Sequence, residues 1–483
     1  MRRTRRFERV AVPVIAMVLL AGCAQQIDGT PVSVYDNPFT VAGLPVTSGY
    51  SGPRDGVPDA GVVIENTDGG PIDTLAGNAI GDIEDYWRGE FGTIAKGSFE
   101  PVSTIMSWDP SERRGPRFCG EPTFDFVNAA YCSLGDVIGW DRSYLMPQLI
   151  EDFGPMAAVM VLAHEYGHAI QYTAGLIADD DPGIVFEQQA DCFAGAFMRH
   201  VAEGRAAHFE LDTSDGLNKV LASMVLFRDT DPNDPDSIHG SAFERVTAVQ
   251  IGFTDGAAAC AEIDAAEVET RRADLPQYFD GSDDGELPVT ADSVDLIFRS
   301  FERVFELADP PALDLSGAEL ACADAAFTSP VSYCPATNTI GVDLAALTER
   351  STPEDSSGNE FSADVRGDYN AYVLIASRYA LAVQHANGQS LTEPRTALRA
   401  ACLSGVISAA LSPMSPLAAE VGPDANMVWL SPGDLDEAVS GLLTDGLAAS
   451  DVNGNTVPSG FSRVDAFRTG VLGGEAACNG RYR

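Results

Sequence analysis

The sequence predicts an α+β protein built as two tandem copies of one domain, each mainly helical with a small sheet. The second copy is expected to lack a metal site that the first is expected to carry. Three observations predict this. Four blocks recur in the same order, roughly 200–220 residues apart. Cysteines fall in register within those blocks. Histidines and carboxylates at helical spacing stand in the first set of blocks and are gone from the second.

The chain has 483 residues, 45% of them hydrophobic and 8% aromatic, enough for two or three cores. Its beginning reads as a targeting segment. Arg2, Arg3, Arg5, Arg6 and Arg9 precede a short apolar run over residues 10–20, too short to span a bilayer. Residues 1–22 are therefore expected to be a signal peptide. The sequence Leu20-Ala21-Gly22-Cys23 resembles the lipobox of bacterial lipoproteins, which implies lipidation at Cys23 and anchoring to the outer face of the cell membrane. Loss of residues 1–22 takes away five arginines and one glutamate and moves the net charge from −41 to −45. Such a polyanion repels nucleic acid, so that partner class is excluded. Residues 23–70 are rich in Gly, Pro, Thr and Asp and read as the lipidated terminus and a flexible tether.

The repeat sets the domain boundaries. "CGEPTFDFVNAAYC" (119–132) matches "CADAAFTSPVSYC" (322–334), and each runs on into a strand-like stretch with Ile-Gly-x-Asp. "VLAHEYGHAIQ" (161–171) matches "LIASRYALAVQ" (374–384), and "EQQADCFAG" (187–195) matches "ALRAACLSG" (397–405). "FERVTAVQIGFTDGAAAC" (243–260) matches "FSRVDAFRTGVLGGEAAC" (461–478). The first domain is placed at 71–275, a polar linker at 276–288 and the second domain at 289–483. Eight cysteines beyond Cys23 in an exported chain imply disulfides. Their register pairs Cys119 with Cys132, Cys322 with Cys334, Cys192 with Cys260, and Cys402 with Cys478.

The chemistry lies in the first copy. Residues 155 to about 173 read as a helix, with Pro155 in its first turn and Gly175 at its exit. His164 and His168, four apart, share one face, as two imidazoles must to hold one ion. Glu165 stands about 100° round from His164, within reach of a water on that ion. A second helix starts near residues 182–183. Glu187 on it is the expected third ligand. Asp191, one turn on, is placed to accept from the second nitrogen of a ligand histidine. In so acidic a chain Glu187 and Asp191 could form a solvated face, but their neighbours Phe186, Ala190, Cys192, Phe193 and Ala194 argue for burial.

His-Glu-Tyr-Gly-His followed by Glu-Gln-Gln-Ala-Asp-Cys-Phe-Ala-Gly resembles the bacterial neutral zinc metallopeptidase family of gluzincin type. The resemblance covers most of residues 71–262 and implies a zincin-like fold. It implies zinc on His164, His168 and Glu187, with Glu165 as general base and Asp191 behind a ligand. It also implies peptide-bond hydrolysis, in which Glu165 takes a proton from a water activated by the ion and passes it to the leaving amine. "IHGSAFERV" (238–246) is similar to that family's Thr-His-Gly segment, with Ile238 in place of threonine. His239 is read from its chemistry either as a donor to a developing oxyanion or as a solvent-facing loop histidine. His200 and His208 read as surface.

In the second copy His164 becomes Ser377, Glu165 becomes Arg378 and His168 becomes Leu381. Glu187 becomes Ala397, Asp191 becomes Ala401 and His239 becomes Val457. Tyr379, Gln384, Cys402, Gly405 and Arg463 are kept, so kept positions read as scaffold and lost ones as function. One zinc per chain is expected, with a degenerate, pseudoenzyme-like second domain. Two function classes result. One is a lipid-anchored zinc endopeptidase acting on protein or peptide; the other is a non-catalytic surface lipoprotein that uses the fold to bind protein.

Overall fold

A computed structural model describes residues 37–482 except 179, 235–236, 273, 279–284, 353–364 and 423–425. The signal peptide, Cys23, the first part of the tether and the middle of the linker (279–284) lie outside the described residues.

The described residues begin with three two-residue strands, β1 (Thr40–Val41), β2 (Leu44–Pro45) and β3 (Gly52–Pro53). Then come helix α1 (Pro71–Ile94), strands β4 (Thr104–Trp108), β5 (Arg117–Phe118), β6 (Glu121–Pro122), β7 (Ala129–Cys132) and β8 (Val137–Asp141), and helices α2 (Leu145–Phe153), α3 (Pro155–Ala174) and α4 (Gly183–Ala202). Strand β9 (Phe209–Glu210) precedes α5 (Asp215–Leu226), α6 (Ala242–Asp255), α7 (Ala257–Cys260) and α8 (Ala265–Arg272). The second half runs through α9 (Ala291–Val304), β10 (Ala312–Asp314), β11 (Val331–Cys334), β12 (Thr339–Val342), α10 (Leu344–Ser351), α11 (Asp368–Ala386) and α12 (Pro394–Ala410). It ends with α13 (Pro416–Val421), α14 (Asp434–Thr444) and α15 (Gly460–Arg481). The fold is mixed α+β, with more helix than strand and only small sheets.

Both halves build the same sheet. β8 lies between β4, parallel to it, and β7, antiparallel; β12 lies between β10, parallel, and β11, antiparallel. The four disulfides join the pairs that the repeat names: Cys119–Cys132, Cys192–Cys260, Cys322–Cys334 and Cys402–Cys478. Glycines repeat for a packing reason. A Cβ on Gly252 would stand 1.8 Å from the Cys192 carbonyl oxygen, and one on Gly470 would stand 1.8 Å from that of Cys402. Only glycine lets α6 touch α4, and α15 touch α12, this closely.

The halves are not separate bodies. The described residues belong to one compact unit, and a single hydrophobic core runs through both halves. They meet where α5, α6, α14 and α15 pack on one another.

The tether expectation needs correction over residues 37–70. Val41 is fully buried, and β3 pairs antiparallel with β9. Thr47 donates its N–H to Thr213 Oγ1 at 2.9 Å, and Ser51 donates its hydroxyl to Asp212 at 2.6 Å. Gly, Pro and Thr here mark turns between very short strands held by side-chain hydrogen bonds, and composition alone does not separate such a segment from a linker.

Where α11 and α14 begin, Asp368, Asp434 and Glu437 are all buried, with one oxygen of each within 4.8 Å of the others. Burial, then repulsion from Glu286, pushes Asp368 up to about 7. Burial and the neighbouring carboxylates hold Asp434 and Glu437 well above the usual range. The folded chain thus keeps protons that the unfolded chain releases above about pH 4. Stability is expected to fall as pH rises from about 5 to 7, by about 1.4 kcal/mol per unit for each proton held. Calorimetric melting across that window checks this. Asp434→Asn should flatten the slope, and a melting temperature that rises with pH would refute it.

Candidate metal centre

α3 forms because Pro155 fixes the first helical residue and Gly175, left-handed at φ 65°, takes the exit, its N–H bonding to Gln171 and Tyr172 carbonyls. Between them the helix is apolar nearly all round and buried on nearly every side. His164 and His168 lie on the face turned to α4, with ring centroids 4.8 Å apart. The two helices come together at Gly167, where a Cβ would lie 2.9 Å from Ala190 Cα. This contact brings Glu187 over the imidazoles. His164 Nε2 lies 3.2 Å from Glu187 Oε2, and His168 Nε2 lies 3.6 Å from Oε1.

Both Nδ1 atoms are engaged elsewhere. His164 Nδ1 meets Asp191 Oδ1 at 2.7 Å, and His168 Nδ1 meets Gln171 Oε1 at 3.0 Å. Those acceptors fix the tautomer that leaves each Nε2 lone pair for an ion. Ligands about 2.0–2.2 Å from a tetrahedral zinc stand roughly 3.3–3.6 Å from one another, which matches these spacings. Glu187 Oε2 is buried and has no hydrogen-bond partner, although His164 Nε2 lies 3.2 Å away. A buried carboxylate oxygen without a donor is costly. Two imidazoles and one carboxylate are a donor set that could hold a metal ion such as zinc, and the orphaned oxygen is one such an ion would satisfy.

Behind the three candidate ligands stands a polar network. Arg245 Nε and Nη2 donate to the two oxygens of Asp191 at 2.9 and 2.8 Å, and its Nη1 donates to the Phe227 carbonyl. Gln171 also donates to the Phe186 carbonyl and to Gln189 Oε1, tying α3 to α4. Glu165 Oε2 accepts the Tyr131 backbone N–H at 2.9 Å, from the edge strand β7. His239 stands at the rim, with Nε2 3.9 Å from Glu187 Oε2 and Nδ1 3.2 Å from Asp229.

The electrostatics favour a cation between the ligands. Burial would lower His164, but the Asp191 and Glu187 carboxylates overcome it and hold the imidazolium up to about 10. Burial would raise Glu187, yet His164, His168 and Arg245 hold it far below the usual carboxylate range. Burial, then the His164 charge, lowers His168. Asp191 is lowered against its burial by Arg245 and His164. Burial and the nearby Glu187 push Glu165 up to about 7 against the pull of His164, which suits a group that takes and returns a proton near neutral pH.

The structure thus brings His164, Glu165, His168, Glu187, Asp191 and His239 into one place. Four participants escape the sequence reading. Gln171 and Arg245 have counterparts in the second copy, Gln384 and Arg463, and so read as scaffold, yet each touches a candidate ligand or its partner. Asp229 is one of several aspartates in its loop. The Tyr131 N–H is backbone and leaves no side-chain signal. His208 needs correction. Its side chain is 13% exposed, and Nδ1 bonds to the buried Asp82 at 2.6 Å, joining β9's approach to α1.

Beside the centre, in the seam between the halves, lies a cavity of about 470 Å³. Ile184, Ile238 and Gly240 of the first half and Asp436 and Glu437 of the second are among its lining. None of the three candidate ligands lines it, but Gly183 and Ile184 at the start of α4 and the neighbours of His239, Ile238 and Gly240, do.

In the second half the same positions are filled for packing. Leu381, Ala397 and Ala401 are buried, and Arg378 donates to the Val331 carbonyl of the equivalent strand and to Ser450. Among the described residues two other groups bring metal-ligand atoms together. One contains Cys322 and Cys334, which are joined to each other; the other is the carboxylate cluster of Asp368, Asp434 and Glu437.

No helix among the described residues is long and apolar enough to cross a membrane. No family model and no solved structure matches this chain. Three uncharacterized mycobacterial proteins, one from Mycobacterium bovis and two from Mycobacterium tuberculosis, are each 26% identical to it over 162 residues. The match takes in 29% of this chain, and the chain spans 55% of the relatives' length. The chain is similar to these over one stretch, and their names carry no activity.

Proposed function

We propose that the chain is a zinc-dependent peptidase of the gluzincin-type neutral zinc metallopeptidase kind, exported and held at the outer face of the cell membrane by lipid on Cys23. The observation that supports it most is the convergence of His164, His168 and Glu187, with both Nδ1 atoms occupied and Glu187 Oε2 left without a donor. These three residues would hold the ion. Zinc there supplies a water of pKa about 7 and polarisation of a substrate carbonyl. Glu165, anchored through Oε2 by the Tyr131 N–H, takes a proton on its other oxygen and returns it to the leaving amine. His239, steadied at Nδ1 by Asp229, is placed to donate from Nε2, when its ring is doubly protonated, to the oxygen on which negative charge develops. Each half is read as a zincin-like domain, the second without the ligands.

Elemental analysis should find one zinc per chain; two per chain would contradict the second half's loss of ligands. Cleavage of a denatured protein substrate should stop on chelation and return with zinc. Zinc binding without cleavage of any denatured protein would favour the other function class, a lipoprotein that uses this fold to bind protein.

A further inference from the structure

The second half has lost every candidate ligand, yet it reaches the first half's centre through a helix terminus. Asp436, on α14, is 4% exposed and accepts the Phe243 N–H at 3.0 Å. Phe243 is the second residue of α6, so this N–H is one of the four that a helix start leaves without a partner. Ser241 and Glu244 form a capping box over the same turn. The next residue, Arg245, donates to both oxygens of Asp191, and Asp191 meets His164 Nδ1 at 2.7 Å. Asp436 therefore sets where α6 begins, and the start of α6 sets where Arg245 and Asp191 hold the histidine.

The mirror contact exists as well. Asn218, on α5 in the first half, accepts the Gly460 N–H at 2.7 Å at the start of α15. α15 carries Arg463, which corresponds to Arg245. With Ala401 where the first half has Asp191, Arg463 donates instead to the carbonyls of Leu442, Leu443 and Val457. Each half thus caps the other's helix, but only the cap made by Asp436 leads to a candidate ligand.

We infer that Asp436 is a positioning residue for the metal centre, and that the ligand-free half serves as its brace. This rests on the reading of His164, His168 and Glu187 as a metal centre. The mirror contact supplies the control. In the full chain, Asp436→Leu should weaken zinc and cobalt(II) binding about tenfold, the low end of what partners behind ligands cost. It should also alter the visible absorption of bound cobalt. Asp436→Asn keeps an oxygen for the Phe243 N–H and should stay within about twofold of the parent. Asn218→Leu removes the opposite cap; it should lower the melting temperature much as Asp436→Leu does, yet leave affinity and spectrum unchanged. Asp436→Ser serves if the leucine variant does not fold. Parent-like affinity and spectrum in Asp436→Leu, or equal losses in Asn218→Leu, would overturn the brace. A parent chain that binds neither metal would instead overturn the metal-centre reading, and the brace with it.

Discussion

Glu165→Gln is expected to lower turnover by at least about a thousandfold, within the range that general acid–base groups supply, while one zinc per chain is retained. Glu165 is not among the three groups that converge on the candidate ion position, and a glutamine oxygen can still accept the Tyr131 N–H that orients it. What the amide cannot do is take a proton. The stability change separates this from misfolding. Burial pushes the Glu165 carboxyl up to about 7, so its ionisation in the fold costs stability that accrues as pH rises from about 4.5 through 7. In the zinc-free chain, removing the group should leave the melting temperature at pH 8 unchanged or raised. Steady-state cleavage of a denatured protein, with zinc content measured on the same sample and melting on a chelated one, checks all three quantities. Turnover within tenfold of the parent would end the assignment of Glu165 as base.

The sequence carries the part of the centre that obeys helix periodicity. His164 and His168 are legible from a four-residue spacing, and Glu187 and Asp191 from the same spacing on the next helix. The disulfide pairs are legible because the chain repeats itself, which puts each cysteine beside its own counterpart. What the repeat hides is any residue with both a scaffold and a functional contact. Gln171 ties α3 to α4 and also holds His168 Nδ1. Its counterpart Gln384 contacts the Thr396 carbonyl and Arg399, so its retention argues for scaffold alone. Residues 37–70 read as a tether for another reason. The pairing of β3 with β9 joins positions more than 150 residues apart through strands of two residues, which leave no alternation to detect.

Arg245→Met should show how strongly the network behind His164 is coupled. Arg245 and Asp191 are both essentially buried, and loss of one member of such a pair strands the other's charge, at about 3–5 kcal/mol. Asp191 also meets His164, so metal affinity should fall about 10–100-fold in the same variant. Stability and affinity should then separate in the double variant Asp191→Leu/Arg245→Met. Replacing a buried ion pair with apolar groups of similar size is often nearly neutral, so most of the lost stability should return. Affinity should not return, because the double variant also removes the Asp191 acceptor that fixes the tautomer of His164. The second half shows how the scaffold accommodates an arginine without the aspartate. Leu442 and Leu443 lie in the last turn of α14, where carbonyls lack intrahelical partners, and they accept from Arg463. Arg245 meets one carbonyl of that kind, at Phe227, so its other donors depend on Asp191. Denaturant unfolding with competitive zinc titration measures both quantities. A double variant that regains zinc affinity along with stability would show that Asp191 serves packing alone.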